Sequence, residues 1–430
     1  MLARIWGAEV LVGGGGDADV PGERSSIAQA AQTLRHLRVS YSYYKGVPAP
    51  ITNGGVNSAG VAVRDIWSTS RAELIEMTPN PQRGVNYSDI ARIVMERATS
   101  ARGAVEVAAG LISAHGEATY GGNSHIFADE EEAWVMIQFA GGQGLWVAER
   151  LGADDIRASR PGYVLEIPAE AGGGDNFLWS ENFIRFAQDK GWWQGGVFDV
   201  NTVYGDGLGR WDGVRWIEGE MRKKAGQIGL AEMIWAVRHP KLTGDTAGYG
   251  QVVPLRGGRR MLWHAPIGAV AAPFAPVYLD QDTVPAEFGK HRYLTAGEAR
   301  KVLDMRKAEP AEADMVSSVP QAHAAQRCAV AECKRLLYLM HMAGAPVLQR
   351  ILPVFEAREA TLAGLAGQME AAVAGAANAE VAAVWGYFSG VELGRGLDMV
   401  MALADGLEAE LKALGRLPVD GTIRGFEQIW

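Results

Sequence analysis

The sequence predicts an α+β protein that ends in a helical region, and three observations support this fold class. From Arg38 to about Pro285, stretches rich in β-branched and aromatic residues alternate with turn signals and helical segments. Several of these stretches are separated only by short polar or glycine-rich turns, which is typical of antiparallel strands. Beyond about Thr295, Ala, Leu, Glu, Lys and Met dominate with helical periodicity. Because 430 residues exceed what one hydrophobic core usually serves, we expect an α+β domain over 1–295 and a helical region over 296–430.

Residues 87–116 predict two consecutive helices. Apolar residues recur with helical spacing in two stretches, and the pattern is interrupted from Ser100 to Gly103. Ser88 is a candidate cap of the first helix, and Gly116 is a stop signal for the second.

Residues 125–151 predict an antiparallel meander, because three strand-like stretches are joined by an acidic turn and a glycine-rich turn. The acidic run from Asp129 to Glu132 lies at the first hairpin tip. Four consecutive acids do not converge easily on one cation, so a solvated turn is favoured over a metal site.

Charge and apolar patterning exclude several classes of protein. The formal net charge of −9 and the pI near 5.5 oppose binding to nucleic acid. No apolar run reaches the roughly 18 to 20 residues that span a bilayer, and the first residues do not resemble a signal peptide. We therefore expect a cytoplasmic protein without a membrane partner.

The two cysteines, Cys328 and Cys333, are five apart in a helical pattern, so their side chains diverge. This spacing suits neither a disulfide nor a closed metal site, and we expect reduced packing residues. No pattern indicates a metal or a cofactor, and we expect none.

Five segments in a fixed order carry a resemblance to a known family. Residues 38–70 contain a glycine-rich turn and strand, and residues 87–116 contain the helix pair. Residues 120–151 contain the meander, and two later stretches read NFLWSENFIRFAQDKGWWQGGVFDVNTVYGD and APFAPVYLDQDTVP. The matching positions are Gly54, Gly55, Asn57, Gly60, Val61, Ala62, Ala101, Arg102, Ala104, Val105, Asn123, Phe127, Ala128, Asp129, Trp134, Trp146 and Ala148.

In these segments the chain resembles the cysteine dipeptidase family, with its dipeptidase A and secernin-like members, of the N-terminal-nucleophile hydrolase superfamily. The resemblance implies a four-layer αββα sandwich. It also implies that a freed N-terminal Cys attacks an amide and that its own α-amino group is the base. An α-amino group titrates near pH 8 and can accept that proton.

The resemblance does not supply this nucleophile. The stretch GAEVLVG at residues 7–13 is similar to the start of the family's first strand, and Gly7 stands at the position of the Cys. Family members also have a second N-terminal strand that ends in an Arg-and-acid motif. Residues 13–26 here predict a loop in its place.

Ser25 and Ser26 are the nearest hydroxyls, and processing before either would create an N-terminal serine. The alternative is structural, because SSIAQAAQTLRHLR predicts a helix that one of these serines caps. The helical interpretation is the favoured one.

Three further residues are candidates for the site. The resemblance places Asn57 and Asn123 near the family's substrate cleft, where a side-chain amide can donate to an oxyanion. Each also lies beside glycines, where Asn is favoured for backbone reasons. His125 is a candidate general base, although a structural histidine is favoured because no partner accompanies it. Arg64 and Asp65 are adjacent on a strand and therefore point to opposite faces.

Two functions remain open. The first is an amide-bond hydrolase for dipeptides or small acylated amino acids. The second is an inactive homologue that binds a small molecule or peptide, or acts as a scaffold. The expected partner is a small peptide or an amino-acid amide, and a homo-oligomer is compatible with the sequence. A phosphate-binding turn at residues 8–32 is disfavoured, because no Gly-Lys-Ser/Thr ending is present and Asp17 and Asp19 would repel phosphate.

Overall fold

The computed structural model describes residues 10–14, 24–42, 48–119, 121–158, 164, 166–208, 210–243, 249–257, 259–281, 284–288 and 328–417. These residues form two compact units. The first, here the sheet unit, contains the described residues up to 39 and from 52 to 227. The second, here the helical unit, contains the described residues from 228 onward and those of 40–42 and 48–51.

The described chain begins with a β-hairpin in the sheet unit. Val10–Gly14 (β1) pairs antiparallel with Arg24–Ala28 (β2), so that Val10 lies opposite Ala28 and Gly14 lies opposite Arg24. The predicted capped helix over residues 25–38 is therefore wrong, because residues 24–28 and 36–42 are strands and residues 29–35 are not helical. The predicted loop over 13–26 is also wrong at both ends, because residues 13–14 belong to β1 and residues 24–26 belong to β2. A strand–loop–helix phosphate turn is likewise contradicted.

A seven-stranded sheet follows, with the order β10-β8-β7-β6-β5-β4-β3. Its strands are His36–Ser42 (β3), Pro48–Asn57 (β4), Ala62–Trp67 (β5), Asn123–Ala128 (β6), Ala133–Gln138 (β7), Trp146–Leu151 (β8) and Phe177–Trp179 (β10). The strand pairs from β4 to β10 are antiparallel. The short strands Glu166–Ile167 (β9) and Phe198–Asp199 (β11) pair with each other. The predicted meander is confirmed.

Two helices cover one face of this sheet. Tyr87–Arg97 (α2) and Ala101–His115 (α3) follow the short helix Ala72–Glu76 (α1). Asn86 caps α2 and forms a capping box with Asp89. The predicted cap, Ser88, instead accepts a hydrogen bond from the Thr52 amide at 2.7 Å. The two-helix prediction is confirmed, and both helices pack on apolar side chains of β5, β6 and β7.

The opposite face of the sheet carries a second apolar core. It includes Val135, Ile137 and Val147 of the sheet together with Phe183 and Phe198. The helices nearby in sequence are Phe183–Asp189 (α4), Val200–Tyr204 (α5) and Asp212–Arg222 (α6). Residues on both faces of the central strands are thus buried, and a polar side chain there is costly unless it has a partner.

The helical unit combines a small sheet with long helices. The strands Gly250–Val252 (β12), Met261–Ala265 (β13) and Ala275–Tyr278 (β14) form an antiparallel sheet. The helices are Leu230–Arg238 (α7), Ala329–Ala343 (α8), Leu348–Ala372 (α9) and Asn378–Ala413 (α10), and single 3-10 turns cover Ala286–Phe288 and Ala345–Val347. Trp385 of α10 stacks on Tyr278 with ring centroids 3.8 Å apart.

The predicted α+β class is confirmed, and each unit combines β-sheet with α-helix. The predicted helical character of the C-terminal region is confirmed for residues 329–413, whereas the boundary near residue 295 lies outside the described residues and stays a prediction. Within the described part of the chain, no helix is long and apolar enough to cross a membrane.

Candidate functional site: a buried polar row

Four polar side chains share the face of the sheet that α2 and α3 cover. Asp65 of β5 lies directly opposite His125 of β6, and Asn123 of β6 lies directly opposite Gln138 of β7. Residues opposite each other in an antiparallel pair share a face, as do residues two apart on one strand. The four side chains therefore form one patch, which we call the polar row.

The polar row continues an apolar stripe. Val63 precedes Asp65 by two positions, Phe127 follows His125 by two, and Met136 precedes Gln138 by two. All three apolar residues belong to the core beneath α2 and α3. The polar row thus occupies positions where the strand periodicity would otherwise place core residues.

The polar row is almost completely enclosed. Asp65 is 3% exposed, and the other three residues have no exposed surface. One hydrogen bond connects two members, donated by Asn123 Nδ2 to Asp65 Oδ2 over 3.3 Å. Six buried polar atoms have no hydrogen-bond partner among the described residues: Asp65 Oδ1, Asn123 Oδ1, His125 Nδ1 and Nε2, and Gln138 Oε1 and Nε2.

Such an arrangement is unusual for a purely structural patch. Burying a polar group without a partner costs about 1–3 kcal/mol, and native proteins leave few such groups. Unpaired groups concentrated at one place are typical of a site that meets a ligand or ordered water. This concentration marks the polar row as the candidate site.

Burial changes the proton affinities of both titratable members of the polar row. Loss of solvation raises the pKa of Asp65 to about 7, against the opposing effects of Arg64 and the Asn123 and Asn53 amides. Loss of solvation lowers the pKa of His125 to about 3. The imidazole is therefore uncharged at neutral pH, and the carboxyl group exchanges its proton there.

The structure brings together two of the residues that the sequence singles out, Asn123 and His125. It adds Asp65 and Gln138, which the sequence analysis did not identify as site residues. A signal for both was present, because each stands in phase with the apolar residues of its own strand and so faces the core. Arg64 follows the other phase of β5, as predicted from strand alternation.

Asn57, by contrast, is occupied by the backbone. Its Nδ2 donates to the carbonyl oxygens of Met95 at 3.2 Å and Ala98 at 2.8 Å. Its Oδ1 accepts from the Val61 amide at 2.9 Å. The side chain thus joins the β4–β5 turn to the end of α2, and its amide hydrogens are already used. This geometry favours the structural interpretation of Asn57 over that of an oxyanion donor.

The other candidates are not members of the polar row. Ser25 and Ser26 lie on β2, opposite Gly13 and Val12, and the Ser26 side chain is exposed. Gly7 lies outside the described residues. Cys328 and Cys333 are both buried and not disulfide-bonded, and Cys328 accepts a hydrogen bond from the Ala331 amide at the start of α8.

Acidic side chains of the turn at Asp129–Glu132 bind a backbone amide and an arginine. Asp129 Oδ2 accepts from the Ala101 amide at 2.6 Å, and Glu132 pairs with Arg150. Among the described residues, no group of three or more His, Cys, Asp or Glu side chains is arranged to hold a metal ion.

Part of the chain is similar in sequence to a known protein family. Residues 41–208 match the model of peptidase family C69, and the match includes all four residues of the polar row. Among solved structures, the chain is similar to penicillin V acylase from Agrobacterium tumefaciens, with 13% identity over 62% of this chain and 76% of that one and a TM-score of 0.33. The family match agrees with the resemblance to the dipeptidase A and secernin-like proteins. The segment that contains the polar row is therefore similar to peptidase family C69.

Proposed function

We propose that this protein hydrolyses amide bonds in dipeptides or small acylated amino acids. The observation that carries the proposal is the match of residues 41–208 to a peptidase family, and the polar row lies within the matched segment. We further propose that the protein works in the cytoplasm on a small peptide or amino-acid amide, without nucleic acid as a partner. A homo-oligomer is compatible with this function.

The polar row supports a substrate-binding part of such a site. Gln138 offers both donors and an acceptor, and the uncharged imidazole of His125 offers one N–H donor and one acceptor nitrogen. The four side chains of the polar row include no thiol or hydroxyl, however. The nucleophile therefore has to come from another part of the chain, and Ser25 and Ser26 are the candidates that the sequence supplies.

Intact-mass analysis and a dipeptide panel test the proposal together. We expect hydrolysis of dipeptides by the purified chain, a mature N-terminus at Ser25 or Ser26, and loss of turnover in the double variant Ser25→Ala, Ser26→Ala. Ser58→Ala is the control, because Ser58 is an exposed turn serine. Turnover by a double variant as active as the control would exclude the serine mechanism. Absence of turnover on every substrate would exclude the hydrolase.

The second candidate is a non-catalytic binding protein of the same fold. The absence of a thiol or hydroxyl from the polar row favours it, since binding requires only the polar groups that are present. Saturable binding of a dipeptide by the wild-type chain, with the dipeptide recovered intact after prolonged incubation, would select this function over hydrolysis.

A further inference from the structure

The unpaired atoms of the polar row are dominated by acceptors. Three oxygens are without partners among the described residues, namely Asp65 Oδ1, Asn123 Oδ1 and Gln138 Oε1. The uncharged imidazole of His125 adds one acceptor nitrogen. The unpaired donors are the Gln138 amide and the single N–H of the same imidazole. A ligand that satisfies this set must bring several N–H or O–H donors.

The charge of the polar row also favours a ligand that donates hydrogen bonds. Its only ionisable acid is Asp65, and its imidazole is uncharged, so no positive charge within the row would hold an anion. Arg64 precedes Asp65 and points to the opposite face of β5, from where its charge lowers the pKa of Asp65. A carboxylate among neutral amides favours a cationic ligand, because an opposite charge nearby stabilises the ionised carboxyl group.

A primary ammonium group has as many hydrogen-bond donors as the polar row has unpaired oxygen acceptors. Such a group carries three N–H donors, which equals the number of unpaired oxygens in the polar row. We propose that Asp65, Asn123 and Gln138 bind the protonated primary amine of a small ligand, with His125 beside it. The chemistry is shared by free ammonium and by the amino group of an amino acid or peptide derivative.

The register places these groups within reach of one small ligand. Side chains directly opposite in antiparallel strands have Cβ atoms about 4.5–5.5 Å apart, and Asp65–His125 and Asn123–Gln138 are two such pairs. Trp67 lies opposite Asn123 and is 38% exposed. A partly exposed side chain therefore lies directly beside the enclosed polar row, on the neighbouring strand.

The test uses L-alaninol as a probe, because it has a primary amine and no amide bond that a hydrolase could cleave. N-acetyl-L-alaninol is the blocked counterpart, and ammonium chloride is the probe for the free ion. Calorimetric titration of the full chain is expected to show saturable binding of L-alaninol and none of the acetylated form. Tighter binding of L-alaninol than of ammonium identifies an organic amine as the ligand, and the reverse identifies the free ion.

Two variants assign the binding to the polar row. Asp65→Asn keeps the size of the side chain and removes its charge, and we expect affinity to fall by about 30-fold or more. Gln138→Met removes one acceptor at similar volume and is expected to weaken binding by about tenfold. Glu117→Gln is the matched control, because Glu117 is a buried carboxyl group of the sheet unit that accepts from the Gly144 amide. Its affinity should equal that of the wild type.

Three results would overturn the proposal. They are no saturable binding of any amine probe, equal binding of the amine and its acetylated form, and unchanged affinity in both polar-row variants with native circular dichroism. Because L-alaninol is not a substrate, binding can fail while dipeptide hydrolysis holds, and hydrolysis can fail while binding holds. The two proposals are therefore tested separately.

Discussion

Asp65 and His125 lie opposite each other and respond to burial in opposite ways. The pKa of Asp65 rises from 3.8 to about 7, so the folded protein keeps a proton that the unfolded chain releases. The bound proton therefore contributes to the free energy of unfolding in full below about pH 4. This contribution is lost as pH rises through the folded-state pKa of about 7. The pKa of His125 falls from 6.5 to about 3. The contribution of the uncharged imidazole is present above about pH 6.5 and is lost as pH falls towards 3.

These two dependences offset each other between about pH 4 and 6.5, so single variants should reveal them. Relative to the wild type, Asp65→Asn should gain unfolding free energy as pH rises from 4 to 7, by up to about 1.4 kcal/mol per pH unit. Relative to the wild type, His125→Gln should gain unfolding free energy as pH falls from 6.5 to 4. Urea denaturation at several pH values measures both slopes.

Glu131→Gln is the control for these profiles, because Glu131 is exposed at the tip of the acidic turn. Its difference from the wild type should vary little with pH. A pH-independent difference for Asp65→Asn would contradict the buried, proton-binding state of this carboxyl group.

At the residue scale, a candidate site residue can be recognised in the sequence where a polar residue stands out from its neighbours. Asn123 follows two glycines, and His125 lies near it on the same strand. Asp65 and Gln138 are not recognisable as residues of one site from the sequence, because each joins the polar row only through a cross-strand partner. For Asp65 that partner, His125, is far away in the sequence. The register that pairs Asp65 with His125 depends on the whole antiparallel sheet, and a single strand pattern does not fix it.

At the scale of elements, the turn between β4 and β5 depends on one side chain. The Asn57 backbone amide donates to the Val61 carbonyl, and Asn57 Oδ1 accepts from the Val61 amide. The same side chain donates to two carbonyls at the end of α2. A turn and a helix end are thereby joined by a residue with no exposed surface.

Replacing Asn57 with Ala should destabilise the protein by roughly 2–4 kcal/mol, because buried backbone groups lose their partners. Chemical denaturation measures the change. The adjacent Ser58→Ala is the control and should lie within about 0.5 kcal/mol of the wild type, as is usual for exposed positions. If Asn57→Ala lost no more stability than Ser58→Ala, the hydrogen bonds of Asn57 would contribute little to the free energy of unfolding.

Elements with local signals were predicted well, and elements with distant partners were not. The two helices over 87–115 carry caps and periodicity within their own sequence. Strand β2 has helix-forming neighbours, and its conformation comes from pairing with β1 across the intervening chain. Tertiary pairing therefore outweighs local helical preference at Arg24–Ala28.

At the scale of the whole molecule, the helical unit has an ionic core of its own. Arg238 of α7 and Glu359 of α9 form a two-pronged ion pair, and the exposed fractions are 2% and 4%. Arg238 also donates to the Ala269 carbonyl, and Glu359 also accepts from the Phe274 amide at 2.7 Å. The pair thus connects two helices with the chain before β14.

Breaking this pair should affect the two units differently. Glu359→Gln leaves the Arg238 charge buried without its counterion, which costs about 3–5 kcal/mol. Because the chain forms two compact units, we expect faster amide hydrogen exchange in 230–238, 261–278 and 348–372. Exchange in the meander at 123–151 should be unchanged.

Glu410→Gln is the matched control in the same unit, since Glu410 pairs with Arg350 at the surface. An exposed pair contributes about 0–1 kcal/mol, so exchange should stay close to that of the wild type throughout. Hydrogen exchange followed by mass spectrometry separates the outcomes. Equal acceleration in the meander and in α9 of Glu359→Gln would show that the two units open as one cooperative block. Acceleration confined to the helical unit would show that the sheet unit, which contains the polar row, keeps its own stability when the ionic core of its neighbour is lost.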